Sequence, residues 1–192
     1  MRDAFRTSVA MLGLLTLTTG VAYPLAVVAI ARAAFPAQAS GSLVLRGGRP
    51  IGSSLIGQPF ADPGYFWGRP SATSSAPYNP SASGGSNLGP LNPALREAVR
   101  GRVEAIRAAG PTPAPVPIDL ATASGSGLDP HVSPAAAEVQ VARVARARGK
   151  SEEEVRAVLA GHVEGRQLGL LGEPRVNVLL LNLALDEASA RP

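Results

Sequence analysis

Four side chains between residues 119 and 134 are of the types that a hydrolase uses for nucleophile, base and orienting acid. They are Ser124, Ser126, Asp129 and His131. No G-x-S-x-G elbow accompanies them, and residues so close in sequence rarely fill all three geometric roles. The favoured interpretation is a tight turn followed by a helix capped by Ser133. An alternative stays open, in which backbone N–H groups of residues 124–127 bind an anion or a nucleotide phosphate.

A second phosphate-binding motif is suggested by Gly149-Lys150-Ser151. A P-loop requires a glycine five positions before Gly149, and that position holds Val144. The triplet is therefore interpreted as a helix stop followed by a helix cap. The chain has no cysteine and two histidines, which excludes cysteine-ligated metal and a histidine-rich site. We expect no resident metal and no catalytic residue.

The net charge of +4 suggests nucleic acid at first sight. Of the 18 basic residues, three precede residue 41, as does one of the 14 acidic residues. The rest of the chain is therefore close to neutral, and no block of five like charges occurs in it. This distribution does not favour a nucleic-acid partner.

Residues 7–31 form an uncharged run near the N-terminus. As a helix this run is about 38 Å long, which exceeds the roughly 30 Å of a bilayer's hydrocarbon core. The alternative is a cleaved signal peptide ending at Ala37-Gln38-Ala39, but its apolar region would normally span about 7–15 residues. We expect a short tail at 1–6, an uncleaved transmembrane helix at 7–31 and a soluble domain at 32–192. Basic residues flank both ends, so charge alone does not set the orientation.

Short elements of both types are predicted in the soluble part, which indicates an α+β domain. Two β-type runs flank Gly47-Gly48 and predict a hairpin. Asn92 and Pro93 predict the start of a helix with an apolar stripe up to Ile106. Prolines at 111–117 predict an extended spacer.

Further helices are predicted in the C-terminal third of the chain. One begins at Pro134 and continues to about Arg148, and Ser151 with Glu154 predicts a capping box for the next. The final apolar stretch, 176–185, is interpreted as a buried helix, with a strand as the alternative.

Residues 59–90 are rich in Ser, Gly, Pro and Asn, yet they hold five of the chain's eight aromatic residues. Long loops of this kind are usually functional or disordered, and disordered segments are poor in aromatics. An ordered loop is therefore expected. Two interpretations stay open: the rings fill the domain's own core, or they dock on a partner. The candidate interface residues are Tyr65, Phe66, Trp67, Arg69 and Tyr78.

An ordered set of motifs along the chain resembles one known family. The motifs are GSSLIGQ at 52–58, YFWGRPSA at 65–72, SGGSNLGP at 83–90, TASGSGLDPH at 122–131, SPAAA at 133–137 and GEPRVNV at 172–178. Together with the N-terminal apolar run, they resemble the C subunit of the Kdp potassium-transporting P-type ATPase over nearly the whole chain.

The resemblance implies a non-catalytic subunit of an ATP-driven potassium importer in the bacterial inner membrane. Its implied partners are a channel-like subunit that selects potassium, a P-type pump subunit that hydrolyses ATP, and a small lipid-facing subunit. ATP and potassium are then handled by the complex. The implied roles are assembly and action as a catalytic chaperone that raises the pump subunit's affinity for ATP. The alternative is a free-standing, membrane-anchored periplasmic binding or hydrolase domain.

The resemblance also implies a topology, with the N-terminus in the cytoplasm and the soluble domain outside. ATP lies on the cytoplasmic side, so an outer domain would act on ATP affinity only through the membrane helices. Ser124, Ser126 and Gln140 are the candidates for a direct nucleotide contact, which this topology disfavours.

Overall fold

The computed structural model describes residues 1–111 and 115–190, so the middle of the predicted proline spacer, 112–114, lies outside the described residues. Its first element is a continuous helix made of α1 (Arg2–Leu15), a π-helical segment (Thr16–Ala22) and α2 (Tyr23–Ala34). The most apolar part of this helix has a mean hydropathy of 1.9 and no buried residue. By length and composition it can cross a membrane, as predicted.

The π-helical segment ends just before Pro24. Proline has no N–H to donate, and its ring collides with the carbonyl four residues earlier, here that of Gly20. Widening the preceding turn relieves that collision, which is a usual origin of such segments. The proline therefore alters the helix locally without ending it.

A short helix, α3 (Pro36–Ala39), leads to the antiparallel pair β1 (Leu43–Arg46) and β2 (Arg49–Ser53). Gly47 and Gly48 between them have φ of 57° and 76°. Two successive positive φ angles are what a type I′ hairpin turn needs, and glycine adopts them without strain. The predicted hairpin is confirmed.

The aromatic-rich loop has only one short helical turn, at Pro80–Ala82, before α4 (Pro93–Ala109). The Asn92 side chain accepts a hydrogen bond from the Ala94 N–H at 2.9 Å, which confirms the predicted cap. A one-turn helix, α5 (Ile118–Ala121), follows.

The rest of the domain is a small sheet covered by helices. Its elements are β3 (His131–Val132), α6 (Pro134–Glu138), α7 (Val141–Arg148), α8 (Glu152–Ala160), β4 (Val163–Glu164), β5 (Arg175–Asn177) and α9 (Val178–Ala190). The strands pair antiparallel in the order β3-β5-β4. The architecture is therefore α+β, as predicted.

Two predicted helices differ in detail. The helix expected from Pro134 to Arg148 is broken at residues 139–140, where the Gln140 N–H bonds the Ala137 carbonyl and starts a new turn. The final apolar stretch begins as a strand, because Val176 pairs with Val132 on one side and Val163 on the other. It becomes a helix only at Val178.

The core lies between the small sheet, α6 to α9 and the aromatic loop. Its buried side chains are mostly small or branched aliphatics, with Phe66 as the one aromatic among them: Phe66, Leu120, Val132, Ala136, Ala137, Val141, Val144, Ala145, Val155, Leu159, Val176, Val178, Leu181 and Leu185.

Candidate partner-docking site

Two buried amide side chains hold the aromatic loop at consecutive residues. Asn182 on α9 accepts a hydrogen bond from the Phe66 N–H at 2.8 Å and donates one to the Phe66 carbonyl at 3.0 Å. Gln140, at the break between α6 and α7, makes the same pair of bonds with Trp67, at 2.8 and 3.2 Å. A side-chain amide offers one donor and one acceptor, as the backbone of a neighbouring β-strand does. The N–H and carbonyl groups of Phe66 and Trp67 are therefore hydrogen-bonded although the loop is not part of a sheet.

Arg143 fixes the same stretch from α7. Its guanidinium donates to the carbonyls of Pro63 and Tyr65 and to the Gln140 side chain. The guanidinium carbon also lies 4.1 Å from the centre of the Trp67 ring, a cation–π arrangement. Burial lowers the pKa of Arg143 to about 10, and the carboxylate of Asp62 partly opposes that shift. Arg143 remains charged at neutral pH.

A second arginine secures the loop one turn further along α7. Arg148 donates to the Gly64 carbonyl and lies over the Tyr65 ring at 4.8 Å. The Arg148 Nη2 forms an ion pair with Asp186 at 3.0 Å, and the Tyr65 hydroxyl donates to the same carboxylate at 3.2 Å. The Tyr65 hydroxyl is therefore hydrogen-bonded inside the domain.

Arg69 and Tyr78 close the far side of the loop. Arg69 forms an ion pair with Asp129 at 3.1 Å, and the Tyr78 hydroxyl donates to the Arg69 carbonyl at 2.6 Å. Burial, and then the Asp129 carboxylate, raise the pKa of Tyr78 to about 12, against a smaller opposing effect of Arg69. Burial alone would raise the pKa of Asp129, but contacts from His131 and Arg69 together hold it below its usual value. Asp129 is thus ionised at neutral pH, and both of its carboxylate oxygens have partners inside the domain.

Trp67 borders a cleft between the loop and α4. The cleft has a volume of about 160 Å³ and is lined by Trp67, Gly68, Pro70, Arg102, Ala105, Ile106, Leu120 and Gln140. Arg102 is among the residues that line the cleft, and its guanidinium donates to the Ala121 carbonyl at 3.0 Å. Partial burial lowers the pKa of Arg102. An apolar cleft with a tryptophan and an arginine at its border has the composition of an interface anchor.

The five candidate interface residues thus differ in position. Phe66 is 0% exposed and belongs to the core, which is the alternative that the sequence left open for these rings. Tyr65 and Tyr78 are half-buried and hydrogen-bonded internally. Trp67 donates its indole N–H to the Asp62 carbonyl at 3.1 Å but keeps a partly exposed ring beside the cleft, and Arg69 follows two residues later. Trp67 is therefore the best placed of the five to meet a partner.

The three nucleotide candidates do not share a common set of contacts. Gln140 is 2% exposed, with its amide bonded to Trp67 and Ala136. Ser124 is 4% exposed, and its hydroxyl accepts from the Gly127 N–H at 2.8 Å. Ser126 is exposed, and its hydroxyl accepts from the Leu128 N–H at 3.1 Å. All three side chains serve local turns or the loop.

Sequence reasoning missed Asn182, Arg143 and Arg148, which organise the site. A signal existed for Arg143, because it falls between Val141, Val144 and Ala145 on the apolar side of a helix, where a charged residue needs partners. Asn182 similarly lies between Leu181 and Leu185. Their binding partner could not be predicted, because the loop that they bind shows neither helical nor strand periodicity in its sequence.

Fold and site together define a class: a small α+β domain behind a single candidate membrane helix, with an ordered aromatic loop clasped by buried amides and arginines. The family model described as "KdpC: K+-transporting ATPase, c chain" matches residues 5–187. The chain therefore belongs to the KdpC family, subunits of the K+-transporting ATPase, as the resemblance implied.

Curated relatives agree with the family model over nearly the full length. Three similar proteins are each named "Potassium-transporting ATPase KdpC subunit". The one from Polaromonas naphthalenivorans (strain CJ2) is 65% identical, covering 97% of this chain and 95% of the relative. The one from Sorangium cellulosum (strain So ce56) is 69% identical, covering 95% and 97%. The one from Burkholderia mallei (strain SAVP1) is 59% identical, covering 99% of both.

Proposed function

We propose that this chain is a non-catalytic subunit of a potassium-importing ATPase complex, required for its assembly and held in the inner membrane by one N-terminal helix. The soluble domain lies outside, and the N-terminus lies in the cytoplasm. The proposed partners are a channel-like subunit that selects potassium, a P-type pump subunit that hydrolyses ATP and a small lipid-facing subunit. Family membership supports a place in such a complex.

The observation that carries the docking part of the proposal is the cleft beside Trp67. Its tryptophan is fixed at the backbone by Gln140 and at the ring by Arg143. An anchor held in place before binding loses little conformational freedom on association. We propose that the cleft receives a side chain from the channel-like subunit, with Arg102 and Arg69 as polar contacts at its edge.

The residues that could do hydrolytic chemistry support a non-catalytic role. Asp129, the candidate orienting acid, is bound to Arg69, and its second oxygen accepts from the His131 N–H at 2.9 Å. The Ser126 hydroxyl is occupied by the Leu128 N–H. These contacts form a stable turn. The His131 Nδ1 lies 3.6 Å from the Asp129 carboxylate, but among the described residues neither Ser124 nor Ser126 is hydrogen-bonded to the His131 ring. They favour a subunit over a free-standing hydrolase.

An outer domain can affect ATP only at a distance. We propose that a chaperone-like effect on ATP affinity passes through the N-terminal helix and the membrane helices of the partners. The internal bonds of Ser124 and Gln140 support this route over direct nucleotide contact. Isolated chain in detergent should then show no ATP binding by calorimetry, whereas the complex binds it.

The docking proposal is tested by Trp67→Ala, measured in two ways. Truncating an anchor of this type often costs about 2 kcal/mol, which weakens association roughly thirtyfold. We expect the variant to be lost from the purified complex while the thermal unfolding of the isolated chain changes little. A large fall in melting temperature, with retention that follows the folded fraction, would assign the ring to the core.

Two arginines on α4 offer a matched pair for the same test. Arg102 lines the cleft, whereas Arg100 is exposed and forms an ion pair with Glu97 at 3.6 Å. Arg102→Gln should reduce retention in the complex, and Arg100→Gln should not. Equal retention of both variants would argue against docking at this cleft.

A further inference from the structure

The connection between β4 and β5 exposes three leucines at its tip. Leu168, Leu170 and Leu171 are 91%, 79% and 60% exposed. The tip is an ordered turn, closed by paired hydrogen bonds of 2.9 Å between the backbones of Gln167 and Leu171. Such a concentration of apolar surface on an otherwise polar projection usually marks a contact with a partner or with a membrane. We call residues 167–171 the leucine tip.

The charges behind the leucine tip are matched within the hairpin. Arg166 binds Glu173 through two contacts of 2.7 and 2.8 Å, and Arg175 binds Glu164 at 2.9 Å. The projection therefore carries no net charge in its stem. An apolar surface can receive the tip without an unpaired charge being buried with it.

Contacts at the base of the β4–β5 hairpin show at which end of the domain this hairpin begins. The Asn177 side chain donates to the Ser54 carbonyl at 2.8 Å, and the Ser54 N–H donates to the Ser42 carbonyl at 3.1 Å. Asn177 thus lies at the end of the β1–β2 hairpin where the chain arrives from the N-terminal helix. Asp186, later on α9, lies near Arg46 at the opposite end, with 3.5 Å between the charged groups.

It follows that α9 runs from the anchor end of the domain to the far end, beside β1 and β2. Strand β5 enters α9 from the anchor end, and the leucine tip precedes β5. The base of the β4–β5 hairpin therefore lies at the end of the domain to which the N-terminal helix leads.

We propose that the leucine tip inserts into the lipid surface of the membrane that holds the anchor. This inference rests on the proposed anchoring of the chain. Leucines without tryptophan, tyrosine or arginine are a poor composition for a protein interface anchor, whereas binding to a lipid surface scales with buried apolar area. The anchor keeps the tip at a high local concentration near the bilayer, so a weak insertion suffices. The contact sets the height and tilt of the domain above the membrane.

The chain's lack of cysteine allows a direct test in the full-length protein. Leu170→Cys is labelled with a polarity-sensitive fluorophore, and the chain is reconstituted into phosphatidylethanolamine–phosphatidylglycerol vesicles. Leu91→Cys, at a leucine that is 89% exposed ahead of α4, is the matched control. We expect a blue-shifted emission at Leu170 and quenching by spin-labelled lipid about threefold greater than at Leu91, as expected for an inserted apolar group.

The remaining outcomes separate this proposal from the anchoring on which it rests. Vesicles that carry the chain on flotation but leave the Leu170 label in water would overturn insertion alone. A blue shift that appears only with the other subunits, without quenching by lipid, would assign the tip to a groove on a partner. Chain that fails to float with the vesicles would overturn the anchoring, and insertion with it.

Discussion

At the scale of single residues, the structure depends on polar side chains placed where a helix would normally present aliphatic ones. Asn182 and Gln140 each satisfy the N–H and the carbonyl of one loop residue, and Arg143 donates to the Gln140 side chain and to the Tyr65 carbonyl. These bonds replace the sheet partner that the loop lacks. The aromatic loop thus has a defined conformation although it is rich in Ser, Gly, Pro and Asn.

The first prediction concerns Asn182. Replacing it with alanine leaves the N–H and carbonyl of Phe66 buried and unpaired, which should lower the free energy of unfolding by about 2–4 kcal/mol. Urea denaturation of the full-length chain measures this. Glu187→Ala, at an exposed position of the same helix, should change it by less than about 0.5 kcal/mol. Similar effects of the two variants would mean that the hydrogen bonds between Asn182 and Phe66 contribute little to the free energy of unfolding.

The second prediction concerns pH and Tyr78. Its pKa in the folded state is about 12, above the usual value of 10, so the neutral hydroxyl stabilises the fold. That stabilisation is fully present below pH 10 and is lost as the pH rises from 10 to 12, a loss of roughly 2–3 kcal/mol. Tyr78→Phe should therefore lose less stability than the unaltered chain over this range. Parallel alkaline unfolding curves for the two proteins would contradict the assignment.

At the scale of elements, the sequence was informative wherever a local signal was strong. The hairpin at Gly47-Gly48, the cap at Asn92 and the capping box at Ser151 are all confirmed. Two boundaries were missed because tertiary contacts decide them: Val176 is a strand residue only through its neighbours, and α6 ends where Gln140 turns to the loop. The loop's clasp could not be predicted, since its partners lie on helices distant in sequence.

The third prediction concerns the cap of α8. The Ser151 hydroxyl accepts from the Glu154 N–H at 3.1 Å, and the Glu154 carboxylate accepts from the Ser151 N–H at 2.8 Å. Ser151→Ala should lower the free energy of unfolding by about 1 kcal/mol, and Ser151→Thr should restore most of it. Chemical denaturation of the three proteins compares them. A threonine variant as unstable as the alanine variant would indicate that the cap is not responsible.

At the scale of the whole molecule, one apolar helix and one small domain make a tethered module. The helix exposes its apolar side chains along its whole length, so it needs lipid or other helices around it. We propose that the domain meets a partner through the Trp67 cleft and the lipid surface through the leucine tip. Membership of the KdpC family makes this module a subunit of the K+-transporting ATPase.

The fourth prediction concerns topology. A reporter that is active only outside the cytoplasm, fused to the C-terminus, should be active in cells that express the full-length chain. The reason is that a single crossing helix with a cytoplasmic N-terminus places everything after it on the outer side. The helix should also stay attached. Recovery of a mature protein that begins at Ser40 would show a cleaved signal peptide instead.

The most direct measurement of the central claim is ATP hydrolysis by material purified on this chain. Full-length chain carrying an affinity tag is isolated from membranes of cells that also express the other subunits, and the same chain is also purified alone. The account predicts potassium-stimulated ATP hydrolysis in the first preparation, carried by co-purifying subunits, and none in the second. Hydrolysis by the chain alone, or an intact membrane preparation with no co-purifying ATPase, would contradict it.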